Sequence, residues 1–132
     1  MRYATSIHIS IQRESDVAEA SRKARHMAQA VGFDKLRSYY IATAASELAT
    51  NVFRHGGGGQ FEVWRMASRP GIEMLASDTG PGIADIGLAL TEGYSTTGSL
   101  GCGLSGTRRL MDELTIESTV AQGTRVRACK WL

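Results

Sequence analysis

A chain of 132 residues with 15 Lys and Arg against 13 Asp and Glu carries a formal charge of +2, too small and too scattered to form the clustered basic face that binds nucleic acid. Its hydrophobic content of 42% never gathers into the roughly 18 consecutive apolar residues of a membrane span, and the first ten residues lack the apolar stretch of a secretory signal, so the expected compartment is the cytoplasm with no membrane partner. The length suits one domain, residues 1–132, large enough to fold without a disulfide or metal, and Cys102 and Cys129, with no CxxC and no paired His, read as reduced thiols.

Residues 3–11 alternate, with Tyr3, Ile7, Ile9 and Ile11 on one side and Ser6, His8 and Ser10 on the other, which predicts a first strand with one buried face. Ser15 or Asp16 is placed to cap a helix in which Val17, Ala20, Ala24, Met27, Ala28 and Val31 recur at helical spacing until Gly32. Asp34 caps a second helix whose stripe is Ile41, Ala44, Ala45, Leu48 and Val52, and the glycine run 56–59 stops it after His55. Residues 60–67 and 72–77 are rich in strand formers around an Arg69-Pro70-Gly71 turn, a hairpin pattern. Residues 78–101 read as a long loop with at most a short helix near 84–90, and residues 103–112 as a helix with Leu104, Leu110 and Met111 inward. Leu114, Ile116, Ser118 and Val120 then alternate with Thr115, Glu117 and Thr119, a Gln122-Gly123 turn follows, and residues 124–131 complete a second hairpin. Sheet and helices in this order predict an α/β (α+β) sandwich of two layers with the helices on one sheet face.

Three features carry chemistry. Glu47 and Asn51, four apart on the second helix, point together beside its buried stripe; an amide oxygen next to a carboxylate suits a hydrated Mg2+ site in which the carboxylate accepts a proton. Asp78-Thr79-Gly80-Pro81-Gly82 puts a carboxylate at a strand end beside two glycines, where it can accept a hydrogen bond from an exocyclic amine and so select adenine. From Gly93 to Gly106 there are five Gly in fourteen residues just ahead of a helix, and their backbone N–H groups favour a polyphosphate. Gly101 to Gly106 also satisfies GxGxxG, but no apolar strand leads into it and too few residues follow for a dinucleotide fold; no Lys follows to make a P-loop. Among the neighbouring hydroxyls of Ser95, Thr96 and Thr97, Thr96 is the expected phosphate contact. The thiol of Cys102 has no expected chemical role, His55 is expected to act through the helix dipole, and Arg125 and Arg127 read as a solvated face.

The succession of Glu47-x-x-x-Asn51 on a helix, Asp78-x-Gly80-x-Gly82 after a strand, a glycine-rich segment, Gly101-x-Gly103 before a helix and Gly123-Thr124 in a hairpin resembles the GHKL ATP-binding family over nearly the whole chain. The resemblance implies that family's Bergerat fold, a mixed, mostly antiparallel sheet with helices on one face and ATP between the helix layer and a lid. It also implies Glu47 as catalytic base, Asn51 as Mg2+ ligand and Asp78 as adenine reader. Gly80, Gly82, Gly101 and Gly103 would be the nucleotide-contacting glycines, with Leu100 and Leu104 beside them and the Thr124 hydroxyl near the adenine pocket. The chain has no room for the transducer or phospho-accepting domains of larger members. It is most similar to the small serine/threonine kinases of bacterial partner-switching pathways, and the run from Asp85 to Glu113 resembles their RsbT type more than the anti-sigma kinases RsbW and SpoIIAB. That likeness implies phosphorylation of a STAS-domain partner (RsbS/RsbR-like) and a switch to a PP2C-type phosphatase or other output protein. The alternative is an ATP-dependent binding module of the anti-sigma kind with little or no phosphotransfer; a simple ATPase is a third possibility.

Overall fold

The computed structural model describes residues 6–83, 90 and 103–132. Strand β1 (Ile7–Ile11) alternates as its sequence predicts, with Ile11 fully buried and His8 and Ser10 exposed; Tyr3 lies outside the described residues. Helix α1 (Glu14–Val31) begins earlier than a cap at Ser15 or Asp16 would allow. The Asp16 carboxylate reaches backwards instead, accepting the N–H groups of Gln12 and Arg13, both at 2.9 Å, and these bonds hold its pKa below the ordinary value. The helix closes at Gly32, whose φ of 121° only glycine adopts readily and whose N–H reaches the Ala28 carbonyl at 3.1 Å.

Helix α2 (Lys35–Arg54) starts at Asp34, which accepts the Arg37 N–H at 2.8 Å, as its position before an apolar stripe predicts. Ile41, Ala44, Ala45, Leu48 and Val52 are all buried, and Ser38, Ala42 and Ala49 join them. Small side chains on the facing stripes of α1 and α2 let the two helices pack along each other, and the Ser21 hydroxyl donates to the Ala42 carbonyl at 2.9 Å across the contact.

Strands β2 (Gly59–Arg65) and β3 (Gly71–Asp78) form the expected hairpin, closed by the Met66 N–H on the Gly71 carbonyl at 3.0 Å. Helix α3 (Leu104–Leu110) buries Leu104 and packs on α2; Met111 follows it into the core, while Leu110 is only half-buried. Strands β4 (Glu113–Thr119) and β5 (Gly123–Trp131) make the last hairpin. The sequence places Val120 inside the alternation of β4, but Val120 leaves the strand and is 61% exposed. The chain turns there through Ala121, at φ 68°, and the Ala121 N–H is taken by the Pro81 carbonyl at 2.7 Å rather than by a ladder partner.

The sheet order is β1-β2-β3-β5-β4, and each of the four pairings is antiparallel. One face carries Phe61, Val63, Ile72, Met74, Ala76, Val126 and Ala128, buried under the helices in a continuous core. The other parity holds Glu62, Glu73 and Arg127 with Trp64, Leu75 and Cys129 tucked among them. Antiparallel sheets tolerate this two-sidedness because one face can remain polar. Cys129 is a free thiol, and burial first, then the carboxylates of Glu113, Glu73 and Asp112, push its pKa up to about 11, so it stays protonated and unreactive at neutral pH. Cys102 and residues 84–89 of the expected short helix lie outside the described residues.

Candidate functional site

Glu47 and Asn51 occupy successive turns of α2, both half-buried, flanking the buried Leu48 and Val52. They therefore lie at the border between the core stripe and the open side of the helix, where a polar side chain can reach a ligand without leaving its rotamer space. Burial holds the Glu47 carboxyl above its ordinary pKa, a push that the Arg54 guanidinium partly opposes. The Asn51 carbonyl accepts two N–H groups, from His55 at 2.9 Å and Gly56 at 3.2 Å, and Gly58 donates to the Val52 carbonyl at 3.0 Å, so α2 unwinds over one tight turn.

That turn delivers the chain to Asp78 at the end of β3. A Cβ built on Gly56 would collide with the Asp78 Cβ and Cγ and lie 2.6 Å from its Oδ2. The Asp78 Oδ1 accepts the Gly80 N–H at 2.9 Å, which folds residues 78–80 into a tight corner. Gly80 in turn abuts Gly56, since a Cβ there would fall 2.7 Å from the Gly56 Cα. Gly123 lies under the Asp78 carbonyl, with its own would-be Cβ 2.8 Å from the Thr79 Cα. The sequence read Gly56 only as part of a helix stop. Its contact with Asp78 joins positions 22 residues apart and leaves no local trace.

Thr124 is the cross-strand partner of Asp78, and its hydroxyl meets the Ser118 hydroxyl at 2.9 Å. Ser118 also accepts the Ile83 N–H at 2.6 Å and donates to the Gly123 carbonyl at 3.2 Å, so it ties Ile83 to the β4–β5 hairpin. Gly82 itself sits at φ 81° against the Thr119 carbonyl, where no side chain fits. Ser118 was visible in sequence only as a polar residue on an otherwise apolar parity with Leu114 and Ile116. Gly103 and Leu104 open α3 beside α2, with Leu104 buried. Thr96, Leu100 and Gly101 lie outside the described residues.

The structure thus brings Asn51, Asp78, Gly80 and, through the hairpin, Gly82 and Thr124 to one end of the sheet, with Glu47 one helical turn further along α2. A groove of about 590 Å³ borders the same corner, lined by Asp78, Thr79 and Thr124 but also by Gln60, Ser77 and Arg125 of the opposite parity. Residues of both sheet parities line it, and none of them belongs to α2. Of the two arginines on that face, Arg127 is paired with Glu73 at 3.5 Å and stacked over Trp64 at 6.0 Å. Among the described residues, no cluster of three or more His, Cys, Asp or Glu side chains is arranged to hold a metal ion, and no helix is long and apolar enough to cross a membrane.

Residues 11–130 match the family of histidine kinase-like ATPase domains. The chain is 40% identical over 126 residues, 94% of its own length and 95% of the relative's, to the serine/threonine-protein kinase RsbT of Bacillus subtilis strain 168. It is 34% identical over 93 residues, 65% of each chain, to the anti-sigma F factor of Clostridium novyi strain NT. In fold it resembles the crystal structure of the RsbU and RsbW domains of Rv1364c from Mycobacterium tuberculosis, with a TM-score of 0.69 and 18% identity over 96% of this chain and 32% of that longer one.

Proposed function

The chain belongs to the histidine kinase-like ATPase domain family and is a serine/threonine-protein kinase within it, and from that premise we propose that it transfers the γ-phosphoryl group of ATP to a serine or threonine of a STAS-domain partner of the RsbS/RsbR kind. Phosphorylation would free the kinase to engage a PP2C-type phosphatase or another output protein, in the cytoplasm. The observation that carries this reading is the Glu47 and Asn51 pair on the half-buried edge of α2, whose end abuts the Asp78 corner.

In this reading the acceptor hydroxyl oxygen forms a bond to the γ-phosphorus as the bond to the β,γ-bridging oxygen breaks, and ADP leaves with that electron pair. The transition state is loose, so positioning and charge neutralisation matter more than nucleophile strength. Glu47 orients the acceptor and takes its proton late; a carboxyl pKa raised by burial makes it a better base than an exposed glutamate. Asp78 accepts the adenine exocyclic amine, with Thr124 beside it, and Gly80, Gly82, Gly101 and Gly103, with Leu100 and Leu104, would contact the nucleotide, although the missing side chains of Gly80 and Gly82 make room for Gly56 and the Thr119 carbonyl. Thr96 lends its hydroxyl to phosphate. Asn51 offers an amide oxygen to Mg2+, which would neutralise the phosphate oxygens. Held by Asn51 on the protein side, Mg2+ would draw the rest of its shell from phosphates and water.

Incubation with γ-labelled Mg-ATP and STAS proteins of the same genome tests the reading: label is expected on a STAS serine or threonine, and its absence would contradict kinase action on such a partner. A second reading rests on the 34% identity to an anti-sigma F factor. There the chain would hold its partner in an ATP-dependent complex, and complex formation without label would favour it.

A further inference from the structure

We propose that Gly56 is a positioning residue for nucleotide selection, setting the gap between the end of α2 and Asp78 so that the Asp78 carboxylate is held where it reads the base. This rests on Asp78 being the base-reading carboxylate. The Gly56 N–H is anchored on the Asn51 carbonyl at 3.2 Å, and its Cα side faces Asp78, with no room for a methyl group. A Cβ there would meet not only the Asp78 Oδ2 at 2.6 Å but also its Cβ and Cγ, so rotating the carboxyl cannot relieve the clash. The backbone of β3 or of the α2 turn would have to move. Gly80 closes the arrangement from the other side: its N–H donates to the Asp78 Oδ1 at 2.9 Å, and its own missing Cβ leaves room for the Gly56 Cα and carbonyl. One glycine backbone therefore links the residue read as the Mg2+ ligand to the residue read as the adenine selector.

Two neighbouring glycines separate this role from a general need for flexibility. Gly56 has a φ outside the left-handed region, so alanine there meets a clash but no backbone strain. Gly57 has a φ of 75° with nothing within 4 Å of a built Cβ, so alanine there meets strain but no clash.

Titration of the full chain with ATP and GTP, alongside thermal melting, tests the proposal. Gly56→Ala is expected to weaken ATP binding by roughly tenfold or more, the scale of a displaced buried polar contact, and to narrow the preference for ATP over GTP. Gly57→Ala should melt several degrees lower with both affinities intact. Parent-like binding by Gly56→Ala would overturn the proposal, as would an equal loss in both variants. Asp78→Asn keeps the two readings apart. If it weakens ATP binding while Gly56→Ala does not, only the positioning role fails; if it binds ATP like the parent, the base-reading role of Asp78 fails and takes this one with it. Should Gly56→Ala not fold, Gly56→Ala/Asp78→Gly removes the opposing side chain; recovery of a folded chain supports the contact, and failure to recover overturns it.

Discussion

Glu47 is held in an environment that suits chemistry better than stability. Its folded pKa is raised, so at this site the folded chain binds a proton more readily than the unfolded one, and the contribution of Glu47 to stability is greatest at acid pH and is lost as pH rises through the folded value. Above that window the ionised carboxylate is a net liability. Glu47→Gln should therefore melt at a higher temperature than the parent at neutral pH, with the gap closing as pH falls into the carboxylate range; thermal melts across pH 4 to 8, the span about the usual carboxylate value, check this. Transfer activity should show an acid limb inflecting above the ordinary glutamate value. If Asp78 accepts the adenine amine as proposed, Asp78→Asn should weaken ATP binding by about 1–3 kcal/mol by titration calorimetry, since the Asn side chain has one acceptor oxygen and the Gly80 N–H already uses it. The placement of both residues was legible in sequence, Glu47-x-x-x-Asn51 on a helix and Asp78-x-Gly80 at the end of a strand, because those elements announce themselves locally. Gly56 and Ser118 were not, because the contacts that matter to them, with Asp78 and Thr124, exist only after the chain has folded.

Among the elements, α2 does most to define the site, presenting its buried stripe to the core and Glu47 and Asn51 at the edge of that stripe. Its start depends on Asp34, and Asp34→Ala should cost about 1 kcal/mol by removing the acceptor of the Arg37 N–H, measurable in a urea titration without change in ATP affinity. Helix periodicity over twenty residues with a cap and a glycine stop is a strong local signal, and α2 matches it. The start of α1 was less legible because Asp16 satisfies backbone donors behind it rather than ahead of it. The end of β4 was misread for a related reason: parity continues through Val120, but the Pro81 carbonyl takes the next N–H and turns the chain out of the ladder.

Across the whole molecule, the two layers and the sidedness of the sheet follow from alternation in the strands, whereas the sheet order does not. The pairing of β3 with β5, which sets Asp78 opposite Thr124, joins segments separated by α3 and β4 and is decided by the shared core. Phe61 lies near the middle of that core, fully buried, and Phe61→Ala should lose about 3–5 kcal/mol in denaturant unfolding. The arrangement places the Asp78 corner at one end of the sheet and, among the described residues, sets Glu62, Glu73 and Arg127 on the sheet face away from the helices. The central claim is that Glu47 acts in phosphoryl transfer and not in holding ATP. Single-turnover transfer from γ-labelled Mg-ATP to a STAS partner, with ATP affinity measured in parallel, should show Glu47→Ala slowed by about 10²–10⁴ with ATP still bound. Transfer at the parent's rate would contradict the account.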